Sequence, residues 1–202
     1  MAGHFRLTEG HVNARAAWGL ALTLLAGALG AQSPAPPPSA TPAAAPEAVV
    51  ETAQGSFVIR LLPDVAPRHV RHFLKTAKAG GYDGTTFHRV ILGGIVQGGD
   101  PLSKDPAKKA LYGTGGLGLL KAEFSERPFA RGVVAAARKP SSVDSGGSQF
   151  FVVLTEQPAL KGQYTIFGEV TLGLDVVDKL SQTPVDGDKP RERLEMKVRV
   201  RE

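Results

Sequence analysis

Over residues 48–202 the sequence is a succession of short apolar runs broken by glycine and polar clusters, the spacing expected of strands and tight turns. VVETA (49–53) and SFVIRLL (56–62) flank Gln54-Gly55 and predict a hairpin. Further strands are predicted at 87–91, 95–98, 132–137, 149–154 and 165–170. In the last, 195–201, Met196, Val198 and Val200 alternate with Lys197, Arg199 and Arg201, which predicts an edge strand with one solvated basic face. Two stretches switch to helical period. Pro67 suits a first turn, Val70, Phe73, Leu74 and Ala77 share a face, and Gly80-Gly81 stops the run. Around 174–180, Val176, Val177 and Leu180 make a second apolar face. About eight short strands with two helices predict a mainly β fold, a closed eight-stranded antiparallel barrel capped by two α-helices.

The first 47 residues follow different rules. Residues 1–15 carry Arg6 and Arg15, and the uncharged run AAWGLALTLLAGALGA (16–31) follows. Its apolar part is short for a span of roughly 20 residues, and small residues precede cuts after Ala28 or Gly30. Residues 1–31 therefore read as an export signal, with an uncleaved anchor or a buried helix as the alternatives. Residues 32–47, QSPAPPPSATPAAAPE, hold six prolines and five alanines. Proline fixes φ and lacks a donor, so this is an extended spacer of about 50 Å. The expected location is exported, periplasmic or in the cell envelope.

Composition narrows the chemistry. The chain has no cysteine, which excludes a disulfide scaffold, a cysteine metal site and a thiol nucleophile. The formal charge of +5 includes no dense basic tract, so no nucleic-acid partner is expected. GTGGLG (113–118) matches a dinucleotide fingerprint, but no strand leads into it and no helix follows. His69 and His72 could share a metal, yet no third ligand is near, and a solvated helix face is the expectation. Ser148 lacks the flanking glycine pattern of a nucleophile elbow.

Three separated motifs carry the chemistry: Phe87-His88-Arg89 followed after seven residues by Gln97-Gly98-Gly99-Asp100, then Gly147-Ser148-Gln149-Phe150-Phe151, then LKGQYTIFG (160–168). In this order and spacing the chain resembles the cyclophilins, peptidyl-prolyl cis–trans isomerases, over essentially all of 48–202. The resemblance implies a cyclophilin-like barrel and a groove for a proline-containing peptide. It implies no cofactor and no metal. Arg89 matches the family's catalytic arginine and Gln97 the glutamine that steadies it. Ile95, Phe151 and Leu160 correspond to the proline pocket, and Gln149 lines the same groove. Phe87, counted with the substrate-binding residues, is expected to pack beneath Arg89 more than to touch ligand. Ala137 and Arg138 match the strand that holds the peptide backbone, and Tyr164 replaces a histidine of many members. The partners implied are proline-containing peptides and unfolded exported proteins, met by a monomer that touches a membrane only if its signal stays uncleaved.

Two positions depart from the pattern. The family's Pro-Gly-Phe turn reads Leu92-Gly93-Gly94, so Gly94 stands where an aromatic wall of the proline pocket is expected. Ala159 stands where many members have Trp or Phe, which implies weak cyclosporin binding. The rival reading is a cyclophilin-fold peptide-binding module or chaperone with little isomerase activity.

Overall fold

The computed structural model describes residues 45–201. The expected signal and most of the expected spacer lie outside these residues. Glu47, which composition grouped with the expected spacer, is the first residue of strand β1 (Glu47–Thr52).

Strand β1 turns back into β2 (Gly55–Leu61), and helix α1 (Pro67–Lys78) follows. Then come β3 (Thr85–Ile91), β4 (Ile95–Gly98), β5 (Val133–Ala136), β6 (Phe150–Val153) and β7 (Ile166–Leu172). Helix α2 (Leu174–Ser181), a two-residue pair β8 (Val185–Asp186) and β9 (Lys189–Pro190), and β10 (Leu194–Arg201) complete the order. Eight strands close into an antiparallel barrel in the order β1-β10-β3-β4-β6-β5-β7-β2. The last strand is therefore no edge. It pairs with β1 along its length and with β3 at Leu194–Met196, and its exposed basic residues face solvent from inside a closed sheet. The β8–β9 pair is not foreseen by the apolar pattern, since two residues per strand carry no period.

The barrel has two hydrophobic clusters, one on each side of the same strands. Inside lie Phe57, Ile59, Val134, Phe150, Val152, Met196 and Val198. Helix α1 adds Val70, Phe73 and Ala77 against β10 and β7, and α2 adds Val176, Val177 and Leu180 against β2, β3 and β4. Phe73 alone stacks on Tyr82, Phe150 and Phe167, with ring centroids 5.1–5.8 Å apart. Outside, Phe129, Val133, Ala135, Ala137, Phe151, Val153 and Ile166 form a second cluster. Strands β5 and β6 are thus buried on both faces, which is why VVAA and FFVV read as unbroken apolar runs. Inside the barrel, a Cβ at Gly98 would meet the Met196 side chain, the Phe87 ring and the Thr86 carbonyl, so only glycine fits there.

Helix α1 has no side-chain cap of its own; Ala66 occupies the N-cap and Pro67 follows. Glu123, far along the chain, accepts the N–H groups of Arg68 (3.1 Å) and His69 (3.0 Å) in its place. The same carboxylate bonds His69 Nδ1 at 2.6 Å. His69 is consequently buried, 3% exposed, and the expected solvated helix face at this residue is corrected. A spacing rule cannot see a partner 54 residues away.

Candidate active site

The outer cluster forms the floor of a groove of about 740 Å³ on the outside of the barrel. Strand pairing places the polar groups above it. Arg89 on β3 faces Gln97 on β4, and Gln97 in turn faces Phe151 on β6. Phe87 and Arg89 are two residues apart and would share a face of a regular strand, but the β3–β4 register shifts between them. The irregularity turns Arg89 out and leaves Phe87 in. Phe87 is 1% exposed and its ring packs on Phe57 and Phe150, so it has the packing role expected of it and does not line the groove as a substrate-binding residue.

A chain of directed hydrogen bonds runs behind the guanidinium. Arg89 Nη1 donates toward Gln97 Oε1 (3.5 Å), Gln97 Nε2 donates to Gln149 Oε1 (3.0 Å), and Gln149 Nε2 donates to the Gly115 carbonyl (2.6 Å). Each amide uses one end to accept and the other to donate, so its orientation is set by its neighbour. Gln149 is fully buried and lies behind the groove instead of lining it. On the other side, Arg89 Nε donates to Asp188 Oδ2 at 2.7 Å.

The apolar part follows from the floor. Ile95, Phe151 and Leu160 line the groove together with Gly94. Tyr164 stands edge-on to Phe151, with ring centroids 5.4 Å apart, and the Arg138 guanidinium lies over the Tyr164 ring at 4.7 Å. Arg138 also donates to the Gln163 carbonyl at 2.9 Å, so its side chain props the aromatic wall. Ala137 lines the groove and its N–H is committed to the Gln149 carbonyl at 3.0 Å.

The turn at the departing positions is tightly pinned. Gly93 has φ of 63°, a conformation that favours glycine, whereas Gly94 does not. Gly94 N–H donates to Ile91 O (2.9 Å), its carbonyl accepts from Leu154 N (2.8 Å), and Thr155 Oγ1 donates to Gly93 O (2.6 Å). A Cβ at Gly94 would lie 2.9 Å from Ile91 Cγ2.

The glycine-rich loop 113–118 serves an internal anion. The buried carboxylate of Asp100 accepts the N–H groups of Gly113 (2.5 Å), Gly115 (3.1 Å) and Leu102 (2.8 Å). This brings Tyr112 and Gly113 to the groove's rim. Asp100 and Asp188 were not singled out as site residues by sequence reasoning. Asp100 lies within a quoted motif, but nothing in the pattern of the turn holding Asp188 points to Arg89, 99 residues away. His88 also lines the groove; burial, the main influence, pushes its imidazole below the usual histidine value, outweighing the raising effect of Asp100.

Three comparisons bear on this arrangement. The profile of the family described as cyclophilin type peptidyl-prolyl cis-trans isomerase matches residues 48–201. A probable peptidyl-prolyl cis-trans isomerase of Brucella suis is 41% identical over 139 residues, covering 66% of this chain and 70% of the relative. A peptidyl-prolyl cis-trans isomerase of Helicobacter pylori is 39% identical over 140 residues, 67% of this chain and 80% of that one. Among solved structures, a Cryptosporidium parvum cyclophilin type isomerase, crystallised in the presence of the dipeptide Ala-Pro, superposes with a TM-score of 0.69. It shares 28% sequence identity, over 77% of this chain and 99% of that one.

Proposed function

The chain belongs to the cyclophilin type peptidyl-prolyl cis–trans isomerases, and from that premise we propose that Arg89 and Gln97 carry its isomerase chemistry on proline-containing segments of exported proteins. An X–Pro bond rotates over a barrier of about 18–20 kcal/mol because amide resonance must be lost. As resonance breaks, the proline nitrogen becomes pyramidal and gains a lone pair. A guanidinium held beside it can donate to that lone pair, which neither planar isomer offers. The rate then rises because the twisted amide is bound better than the ground states.

The observation that carries the reading is the fixed setting of Arg89 over an apolar floor. The forked cation is anchored at Nε by Asp188 and faced by Gln97, so its remaining N–H groups are free to point into the groove. Ile95, Phe151 and Leu160 take the proline ring, and the backbone of Ala137–Arg138, just beyond β5, takes the peptide backbone. The Ala-Pro dipeptide named with the Cryptosporidium relative belongs to the same ligand class. Gly94 opens one side of the ring pocket, which favours weak binding. A binding module without catalysis would have no use for the relay from Arg89 through Gln97 to Gln149.

The export half of the proposal rests on the apolar run 16–31 and the proline-rich stretch after it. An isomerase delivered outside the cytoplasm and held off by a spacer would act on slow X–Pro steps of newly exported chains. The test of the catalytic half is an isomerisation assay on the full chain with Xaa-Pro peptides. Catalysed exchange supports it; peptide binding without exchange would make the protein a binding module.

A further inference from the structure

The side of β3 that carries Thr86 and His88 faces a second cavity, of about 110 Å³. Two of its polar lining residues lack side-chain partners. Thr86 Oγ1 and both ring nitrogens of His88 are buried without a hydrogen bond, in residues 2% and 8% exposed. Orphaned polar atoms of this kind cost free energy unless something polar occupies the space beside them. The cavity adjoins the groove, with His88, Tyr112 and Lys189 lining both. Its occupant can therefore belong to the same chain that fills the groove.

The lining specifies the chemistry of that occupant. Pro106, Pro190 and Leu194 supply apolar walls for a short aliphatic stem. Thr86 and His88 offer a hydroxyl and an imidazole that can hydrogen-bond its polar end. Lys109 and Lys189 are exposed at the same cavity, and neither ammonium group has a partner among the described residues. Arg191 and Arg193, by contrast, are occupied by Asp186 and Glu195. Glu192 lines the cavity too and has no partner among the described residues, so two unpaired ammonium groups face one unpaired carboxylate and the balance is positive. An aliphatic stem ending in a carboxylate fits the apolar walls, the Thr86 and His88 side chains and the two lysines.

We propose that this cavity is a specificity subsite for an acidic side chain, glutamate above all, on a substrate residue near the isomerised proline. The proposal rests on the groove at Arg89 being the peptide site. It makes the protein a prolyl isomerase that selects acidic segments.

The test uses the full chain and an alanine-based peptide with one proline. Glu or Gln is placed singly at each of the three positions on either side of that proline. Affinity is read by calorimetry and cis–trans exchange by NMR on the same peptides. At one position Glu should bind about 5–10-fold tighter than Gln. Thr86→Val and Lys109→Met should each shrink that ratio at least about threefold while leaving the all-alanine parent unchanged. A Glu-to-Gln ratio near one at every position would mean that water alone fills the cavity and would overturn the proposal, as would a ratio that neither variant moves. If peptides bind but do not exchange, the catalytic reading fails while the ratio still decides the subsite. If no peptide binds, both fall.

Discussion

Asp188 holds Arg89 from the side away from Gln97: its carboxylate accepts from Arg89 Nε at 2.7 Å, and its backbone carbonyl accepts from Val90 N at 2.8 Å. The short β8–β9 turn is thereby fastened to β3 at the residue that matters and at its neighbour. A guanidinium bonded at Nε cannot rotate its plane freely, so the loop decides which way the remaining donors point.

Asp188→Ala should accordingly lower kcat/KM by about 3–10-fold, mostly through kcat, because the lost contact aligns a donor used in the twisted state. Asp188→Asn, whose amide oxygen can still accept from Nε, should recover part of the loss. Both partners are nearly half exposed, so the melting temperature should hardly move. A loss confined to KM, or none, would deny Asp188 a positioning role.

Gly94→Phe should raise kcat/KM several-fold by closing the open side of the ring pocket, a contact worth about 1–2 kcal/mol. Gly94 does not require positive φ, so backbone strain does not oppose the change. The obstacle is Ile91, whose Cγ2 would sit 2.9 Å from the new Cβ. Ile91 is 42% exposed and can yield. Gly94→Phe combined with Ile91→Ala should therefore gain at least as much as the single change. Kinetics and melts on both variants check this, and a stable but unimproved pair would show that the pocket needs no further wall. Gly93→Ala, at φ 63°, should lose stability.

Much of this geometry could be read ahead of the structure, and the part that could not has a common cause. The runs at 87–91, 95–98 and 149–154, with the three motifs, are local signals, and they recovered the barrel strands and the groove's apolar floor. The irregularity that separates Phe87 from Arg89 is a property of pairing with β4, invisible in β3 alone. Barrel closure turned the alternating last strand from an edge into an internal one. The partners of His69 and Arg89 come from 54 and 99 residues away, and periodicity carries no information over such distances.

Glu123 makes stability depend on acid. Burial alone would raise its carboxyl, but hydrogen bonds from His69, from the His69 and Arg68 N–H groups and from the Arg68 side chain outweigh it, and the group lies below its usual value of 4.5. A depressed carboxyl contributes stability that is present above the unfolded value and lost as pH falls through the folded one. Glu123→Gln should flatten the decline of the melting temperature below about pH 4.5. Glu123→Ala, which strands the α1 N–H groups and His69, should cost about 2 kcal/mol near neutral pH. Melts of the three proteins from pH 3 to 7 check both, and parallel curves for wild type and Glu123→Gln would remove Glu123 from the acid response.

Protein recovered from its native host should begin near residues 29–32 and remain in the soluble exported fraction, as the short apolar run and the small residues at 28–31 suggest. N-terminal sequencing decides this. A chain that starts at Met1 and stays with the membrane would make residues 16–31 an anchor.

The central claim is that Arg89 acts on the twisted amide, and Arg89→Ala tests it most directly. Removing one preorganised donor to developing charge costs about 2.7–4 kcal/mol of transition-state stabilisation, about 10²–10³-fold in kcat/KM. Arg89 is 41% exposed at its side chain and contributes little packing, so the variant should melt with the wild type. Exchange rates on an Xaa-Pro peptide and thermal melts should be measured on the same samples. The account predicts that activity falls by that factor at an unchanged melting temperature; near-full activity in a folded variant would contradict it.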